Sequence, residues 1–377
     1  MNKSICIFIC IIIIVFQNSC SNNAHNEKII KASLSETEVL ISDIFEEVKL
    51  IPLETSDSSL ISTFRRILIF EDDLFILDDY LSHLFIFSED GSLKKKIAKI
   101  GHGPGEYTNI CDFTIDEKRE QINLLSPFGT IHAYNLNGDF IRKIDLPNPP
   151  ANYQRIINYD DENFLLWSVV PDTENGINFI SKENGLINNS LWKSEMLINS
   201  VYSFVFSQFE TNTYFNLGLT NDVYQITKED YSIAYSWDFG KDNIDLKKYR
   251  LPTQKENINE DMNKLMKLFE DGEIPYLFIR QAQSKRYYYT QLWIKQSELK
   301  NLFFDKANNE CYCFTETKEG LKLDIMFFNE DYILTKIDYS QKEALVNSGI
   351  LNEKDKEKLQ AYKEDDNPYL VKYYFKK

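Results

Sequence analysis

The sequence is poor in the residues on which most enzyme sites depend. Its 377 residues include only four histidines, His25, His83, His102 and His132, and no two of them have the short spacing of a zinc site. It contains neither the Gly-x-Ser-x-Gly motif of a nucleophilic serine nor the Asp-x-Asp-x-Asp-Gly loop of a calcium site. We therefore expect no cofactor. The alternative is Ca²⁺ held by carboxylates from separate parts of the chain.

Cysteine and positive charge are also scarce. Of the six cysteines, three lie within the first twenty residues, and the remaining Cys111, Cys311 and Cys313 are too few for a disulfide framework. Asp and Glu number 58 against 42 Lys and Arg, which gives a formal net charge of −16. Because no basic stripe offsets this charge locally, the chain should repel phosphate backbones, and we expect no nucleic-acid partner.

The first nineteen residues have the pattern of an export signal. A positive start at Lys3 is followed by an almost wholly apolar run over 4–16 that is too short to cross a bilayer comfortably. Ser19 then directly precedes Cys20, which resembles a bacterial lipobox, although Gln17 stands where an aliphatic residue is usual. We predict a signal peptide over 1–19, lipidation of Cys20 and a tether over 20–44. An ordinary signal peptide or an uncleaved anchor is the alternative.

A hairpin recurs along the rest of the chain. Residues 85–97 and 132–144 each consist of a strand, a polar turn with Asp-Gly or Asn-Gly, and a second strand that ends in Lys-Ile. A third copy places Gly185 at the same step, so Gly91, Gly138 and Gly185 follow one another at intervals of 47 residues. Asp-Gly and Asn-Gly favour tight hairpin turns, and this period is that of a four-stranded propeller blade.

Weaker copies of the hairpin continue the repeat. They place turns near Asp230 and Asp331. Between these two turns lies one further blade, whose own turn cannot be identified from the sequence. The period-two pattern excludes a coiled coil or an α/β fold. We predict an all-β, six-bladed β-propeller with four-stranded antiparallel blades over 45–377. We also expect the strand after Asn367, or the segment that begins at Val48, to close the ring from the other end of the chain.

Two stretches break the strand pattern. Residues 254–271 place apolar side chains at helical spacing among charges, which predicts an amphipathic helix between the fourth and fifth blades. Residues 340–363 predict one or two helices before the last strand, with Asn352 as the N-cap of the second.

The segment from Gly101 to Tyr107, Gly-His-Gly-Pro-Gly-Glu-Tyr, resembles the NHL-type propeller repeat. Together with the signal peptide, the segment from Val48 to Thr55 and the Asn-Pro pair at Asn367, it is similar to the six-bladed β-propeller lipoproteins of Bacteroides and relatives. The resemblance covers most of residues 45–377 and implies a fold and a location but no catalytic residue. The alternative is that this connector is a phosphate-binding loop. Against it, the connector lacks the Gly-Lys-Ser/Thr ending of such loops and precedes a strand instead of a helix.

Ligand sites in propellers usually form among the loops at one end of the channel. The residues that we predict near that end lie at the ends of innermost strands and in connectors: Arg65, Tyr80, His102, Glu106, Tyr107, Arg155 and Arg280. Arginine with tyrosine and histidine suits carboxylates, sugars or peptide backbone. The alternative is that the three arginines pair with acids of neighbouring blades.

These features lead to two hypotheses of function. The scarcity of histidine and the missing motifs favour a non-enzymatic binding or scaffold module, anchored in the cell envelope by its lipid, for a peptide, glycan or protein partner. The second hypothesis is a lyase or hydrolase that uses carboxylates, and Ca²⁺ where present, in the central channel. Residues 21–26 contain no acid, which favours the periplasmic side of the inner or outer membrane over the cell surface.

Overall fold

A computed structural model of the chain describes residues 28–147, 153–168, 176–191, 204–245, 258–294 and 298–377. Its strands form six sheets, and every sheet contains four antiparallel strands in spatial sequence. The sheets follow one another around a common axis as the blades of a six-bladed β-propeller, as the repeat predicts. The predicted signal peptide, Cys20 and His25 lie outside the described residues.

The first three blades are each built from four consecutive strands. Blade 1 consists of β3 to β6, which span Arg66–Phe70, Asp73–Asp78, His83–Phe87 and Leu93–Ile97. Blade 2 consists of β7 to β10, which span Asp112–Asp116, Gln121–Ser126, Thr130–Asn135 and Phe140–Asp145. Blade 3 consists of β11 to β14, which span Tyr153–Asn158, Asn163–Ser168, Ile177–Ser181 and Ile187–Ser190.

Blades 4 and 5 repeat this arrangement on either side of a helix. Blade 4 consists of β15 to β18, which span Phe206–Phe209, Asn212–Phe215, Asp222–Ile226 and Tyr231–Asp238. Blade 5 consists of β19 to β22, which span Leu277–Gln283, Tyr287–Trp293, Leu299–Asp305 and Glu310–Phe314. Between them lies α2, Ile258–Glu270, which confirms the predicted inserted helix and buries Leu265 and Phe269.

The sixth blade joins the two ends of the propeller. Its three inner strands, β23 to β25, span Asp324–Phe328, Tyr332–Ile337 and Tyr369–Phe375. The outermost strand is β2, Phe45–Ile51, which pairs antiparallel with β25. The ring is therefore closed by the pairing of both predicted segments.

The second and third strands of a blade are buried on both faces because the neighbouring blades cover them. In blade 1, β4 and β5 are almost entirely buried, whereas three consecutive lysines of the outer strand β6 are exposed. Blade-to-blade clusters of apolar side chains hold the ring together, for example Phe75 and Leu77 of blade 1 against Phe113 and Ile115 of blade 2. Burial of apolar surface between the sheets is therefore the main favourable contribution to the fold.

Residues 28–44, which the sequence analysis assigns to a tether, contact the outside of the propeller. The strand β1, Lys28–Lys31, pairs in parallel with β18, so blade 4 has a fifth strand. Further along, Thr37 N donates to the carbonyl of Cys313 on blade 5 at 2.7 Å. The short helix α1, Ile41–Ile44, then leads into β2. Contact with the propeller thus begins before the predicted boundary at residue 45, because Ile30, Val39 and Ile41 are buried against it.

The helices before the last strand are confirmed. They are α3, Lys342–Asn347, and α4, Glu353–Ala361. The Asn352 side chain accepts a hydrogen bond from Asp355 N at 2.9 Å, as an N-cap should. No helix in the described part of the chain is both long enough and apolar enough to span a bilayer.

The repeat was placed correctly in four blades and wrongly in the last. Gly91, Gly138, Gly185 and Asp230 lie in or beside the turns between the third and fourth strands of blades 1 to 4. The turn at Asp331 joins β23 and β24, the first two strands of blade 6, and is therefore not equivalent. The equivalent turn of blade 5 follows Asp305, displaced along the sequence by the inserted helix.

Candidate functional site

A cavity of about 230 Å³ lies on the axis of the ring. Five of the six innermost strands, β3, β11, β15, β19 and β23, contribute to its wall, together with Phe204 just before β15. Its lining combines two arginines and two glutamines with apolar and aromatic residues, among them Arg66, Arg280, Gln208, Gln281, Phe204, Phe206, Met326, Phe327 and Phe328. The repeat creates this site because the first strand of each blade faces the axis.

Arg66 and Asp112 form an ion pair that ties three blades together beside this cavity. Arg66 Nη1 donates to Asp112 Oδ2 at 2.7 Å and to the carbonyls of Phe113 and Ile156 at 3.0 and 2.9 Å. The Asp112 carboxylate is fully buried and also accepts a hydrogen bond from Ile156 N at 2.8 Å. Buried charges are stable only when paired in this way.

Two further arginines stand close to this pair. Arg155 is buried, and its Nη1 donates to the carbonyl of Gln154 at 2.9 Å. Burial lowers the pKa of Arg155 to about 9, and repulsion from Arg65 and Arg66 acts in the same direction while Asp112 opposes it. Arg65 has its Nε 3.6 Å from Asp79 Oδ2. Although the whole chain is strongly acidic, its axis is therefore locally cationic.

Arg280 of β19 also lines the cavity. It is only 8% exposed, and its guanidinium carbon lies 3.8 Å from the centre of the Phe204 ring. Phe204 N donates to the carbonyl of Ile279 at 2.7 Å, which holds the ring in place against β19. Burial lowers the pKa of Arg280 to about 10, so the side chain still carries its positive charge at neutral pH.

Several fully buried nitrogen donors of two residues that line this cavity find no acceptor on the described protein. They are Nε and Nη2 of Arg280 and Nε2 of Gln281. Gln281 uses its other amide atom, Oε1, to accept a hydrogen bond from Trp237 Nε1 at 2.9 Å. A buried donor without an acceptor costs about 1–3 kcal/mol.

The structure brings together three of the predicted ligand-binding residues, since Arg65, Arg155 and Arg280 all gather near the axis. Arg65 agrees in part with the alternative prediction, that the arginines pair with acids, because its Nε lies near Asp79 Oδ2. Tyr80 is 79% exposed in the turn between β4 and β5 and does not line the axial cavity.

The connector residues lie elsewhere. His102, Glu106 and Tyr107 line a second cavity of about 640 Å³ outside the axis. Glu106 Oε2 accepts a hydrogen bond from Gly103 N at 2.7 Å, and a Cβ on Gly101 would lie 2.0 Å from this carboxylate oxygen. Buried Tyr107 donates to the carbonyl of Ile97 at 3.2 Å. These contacts make the connector a tight turn closed by its own side chains.

Four axial residues were missed by the sequence analysis, namely Arg66, Asp112, Phe204 and Gln281. The signal that could have found Arg66 and Asp112 is their equivalent place at the starts of β3 and β7. Phe204 follows residues 192–203, which the structure does not describe, and no sequence pattern singles it out.

Metal ligands do not gather in the described part of the structure. No group of three or more His, Cys, Asp or Glu side chains with the geometry to hold an ion occurs there. Cys111, Cys311 and Cys313 are free, and burial raises the pKa of the Cys311 thiol to about 12.

Comparison with known proteins identifies a family and two solved structures with a similar fold. The sequence profile of DUF4934, a domain of unknown function, matches residues 27–374. A Bacteroides fragilis protein assigned as exported is 21% identical over 93% of this chain and 100% of its own, with a TM-score of 0.73. A DUF4221-family member from Bacteroides vulgatus is 14% identical over 88% of this chain and 97% of its own, with a TM-score of 0.54. No curated protein matches the sequence.

Proposed function

The chain belongs to the DUF4934 family, and on that premise we propose that it is a binding module that takes its ligand into the axial cavity. The partner is a peptide, a glycan or a protein. The observation that carries the proposal is the cavity itself, whose wall gathers buried Arg280 and Gln281 of blade 5 and five aromatic or methionine residues of blades 4 and 6. Clefts that combine apolar walls with a few polar groups are typical ligand sites.

The module would act in the cell envelope. The apolar run before Ser19 and Cys20 supports export and lipidation, and seven residues separate Cys20 from β1 on blade 4. At about 3.5 Å per residue, this segment can hold the propeller within roughly 25 Å of the membrane. Labelling cells with an alkyne fatty acid should mark the wild type and not C20S. Labelling of both would disprove this attachment.

A cavity-filling variant tests the binding proposal. Ser207 lines the cavity, so S207W should occupy the space a ligand needs, whereas L186W changes a side chain that is already 59% exposed on blade 3. Wild type and both variants would be applied to arrays of peptides and glycans. We expect wild type and L186W to capture the same ligands, and S207W to lose them at least tenfold.

Two results would contradict the proposal. Equal capture by S207W and L186W, with both variants folded by circular dichroism, would place the ligand site outside the cavity. Conversion of a captured ligand into products, followed by mass spectrometry, would favour the lyase or hydrolase alternative instead.

A further inference from the structure

We propose that the docking of residues 28–34 on blades 4 and 5 decides which end of the propeller faces the membrane. The end toward the bilayer carries the turns from first to second and from third to fourth strands, and we call it the turn end. The opposite end, which carries the connections between blades, points away from the bilayer, and we call it the connector end. This inference rests on the lipid attachment at Cys20 that the proposed function includes.

Lys28, the first residue of β1, lies at the turn end of blade 5. Its Nζ is 4.7 Å from the centre of the Tyr288 ring, and Tyr288 is the second residue of β20, directly after the turn from β19. Lys306 follows β21 at the same end, and burial together with repulsion from Lys28 lowers its pKa. The chain therefore reaches the body of the propeller at the turn end.

From there the chain runs along the height of the blade. β1 pairs in parallel with β18, which starts at the turn end after the turn with Asp230. Six residues after Lys28, the carbonyl of Leu34 accepts a hydrogen bond from Lys300 Nζ at 2.9 Å. Lys300 is the second residue of β21, which runs from the connector end to the turn end. The docked segment thus leads from the turn end to the connector end, and Cys20 precedes its turn-end side.

Burial and hydrogen bonds hold the docked segment in place. Ile30 is only 1% exposed and packs among apolar side chains between blades 4 and 5, which include Trp237 and Phe278. Full burial of such a side chain contributes about 1.5–3 kcal/mol. Ala32 N donates to the carbonyl of Asp238 at 3.0 Å, which continues the pairing of β1 with β18. The point at which the lipid-bearing segment joins the propeller is therefore fixed.

The short length of chain before Lys28 turns this direction into an orientation. Seven residues separate Cys20 from Lys28, and a random chain of that length spans about 15 Å. The seven residues of β21 cover about 23 Å between the two ends of blade 5. For the connector end to meet the bilayer, the chain would have to return along the blade almost fully extended, which costs conformational entropy. The turn end can meet the bilayer without this cost.

The competing orientation is the reverse one, with aromatic side chains of the connector end at the bilayer surface. Tyr80, in the turn between β4 and β5, and Phe128, in the turn between β8 and β9, both lie at that end and are 79% and 64% exposed. Such side chains can enter a bilayer surface. Because the formal net charge is −16, attraction to anionic lipid does not favour either end. The two orientations are therefore separated by the docked segment.

Energy transfer from the protein to a bilayer tests the orientation. The lipidated full chain would be bound to phosphatidylcholine vesicles that carry an acceptor dye on the lipid head groups. A donor dye would be attached through an azide-bearing amino acid in place of Ala307, at the turn end, or of Glu298, at the connector end. Both positions are exposed and flank β21. The test variant I30D places a charge at the buried position of β1, and its matched control is I29D, at a side chain that is 58% exposed.

We expect the dye at 307 to lie at least about 15 Å closer to the bilayer than the dye at 298, in wild type and in I29D. In I30D the difference should fall to a third or less, because β1 detaches and Thr37 becomes the first contact with the propeller. Sixteen residues separate Cys20 from Thr37, and a random chain of that length spans about 22 Å, as far as the blade is tall.

A second variant leaves the fold untouched. An insertion of about twelve Gly and Ser residues after Asn23 keeps β1 docked but lengthens the chain before it, so the difference between the two dyes should again be lost. Circular dichroism melts would confirm that I30D is folded, and the insertion variant decides the matter where I30D is not.

Each other result overturns the inference. A dye at 298 closer to the bilayer than the dye at 307 would mean that the connector end meets the lipid. Equal distances in wild type, or an unchanged difference in the insertion variant, would mean that the docked segment does not set the orientation. Failure of wild type to float with the vesicles would disprove the lipid attachment itself. Ligand capture, tested with S207W, does not depend on that attachment, so its failure is a separate result.

Discussion

Lys306 shows how the propeller holds a charge between two blades. It follows β21 of blade 5, and its Nζ donates to Gln283 Oε1 at 3.2 Å. The same ammonium group lies 4.1 Å from the centre of the Tyr288 ring and 5.0 Å from that of Phe209. Burial lowers its pKa to about 8, and repulsion from Lys28 adds to the effect. In the described contacts no acid pairs with it at ion-pair distance.

This lowered pKa predicts a pH dependence of stability. Lys306 releases its proton near pH 8 when folded and at about 10.4 when unfolded, so between these values the unfolded chain holds the extra proton. The free energy of unfolding of wild type should therefore rise from pH 8 to pH 10 relative to K306M. The slope should be at most about 1.4 kcal/mol per pH unit, less where solvent reaches the amine.

Urea unfolding at several pH values measures this difference, with K354M on the exposed face of α4 as the matched control. K354M should follow wild type at every pH. A constant difference between wild type and K306M would mean that Lys306 stays protonated throughout the range.

The axial arginines show what residue types alone can and cannot predict. Arginines at the ends of innermost strands were predicted near one end of the channel, and Arg155 and Arg280 do lie near the axis. Arg65 and Arg66 are neighbours, yet Arg65 lies beside Asp79 and Arg66 reaches Asp112 of the next blade. Successive side chains of a strand point to opposite sides, and only the position of the blade in the ring decides which side meets the axis. For the same reason, Asp112 could be found only from its place in the repeat, at the start of β7, and not from its immediate sequence neighbours.

At the scale of the element, the recurring glycine marks a contact between blades. The turn with Gly91 in blade 1 abuts the chain just after β2 of blade 6, and Glu54 N donates to the Gly91 carbonyl at 2.8 Å. The turn with Gly138 in blade 2 likewise approaches Ile97 at the end of blade 1. The 47-residue period could be read from the sequence because each of these turns meets the blade before it. The period failed after blade 4, where an inserted helix lengthens the connection.

Substitution of these two glycines separates backbone strain from steric clash. Both have positive φ, +90° at Gly91 and +76° at Gly138, so either alanine should cost about 1–2 kcal/mol of strain. A Cβ at position 91 would also lie 1.9 Å from the carbonyl oxygen of Pro52, whereas at 138 it would meet a flexible isoleucine at 3.3 Å. We expect G91A to lower the free energy of unfolding by about 3 kcal/mol or more, and G138A by about 1. Chemical denaturation measures both, and equal losses would show that the blade contact adds nothing.

At the scale of the whole molecule, the ring depends on how its two ends meet. Pairing of β2 with β25 removes the free edge that an open sheet would present. Beside this pair, Asn367 joins the chain after β2 to the chain before β25. Its Nδ2 donates to the carbonyls of Glu54 and Ser59 at 2.8 and 2.9 Å, and its Oδ1 accepts from Ile61 N at 3.0 Å. The Asn-Pro pair noted in the sequence is thus part of the closure, a role that no local pattern reveals.

Closure by Asn367 predicts a global loss of stability when its amide is removed. The residue is only 2% exposed, and N367A removes its three hydrogen bonds to backbone groups, although the Glu54 carbonyl keeps Ser59 Oγ as a donor, so the change should cost about 2–4 kcal/mol. N367D places a carboxylate against two carbonyl oxygens. Its folded pKa should therefore be raised, and its stability should fall as pH rises from 4 to 7.

N184A, in an exposed turn of blade 3, is the control and should change stability by less than about 1 kcal/mol. Urea unfolding followed by tryptophan fluorescence would measure all three variants. A loss in N367A no larger than that in N184A would mean that the strand pairing closes the ring by itself.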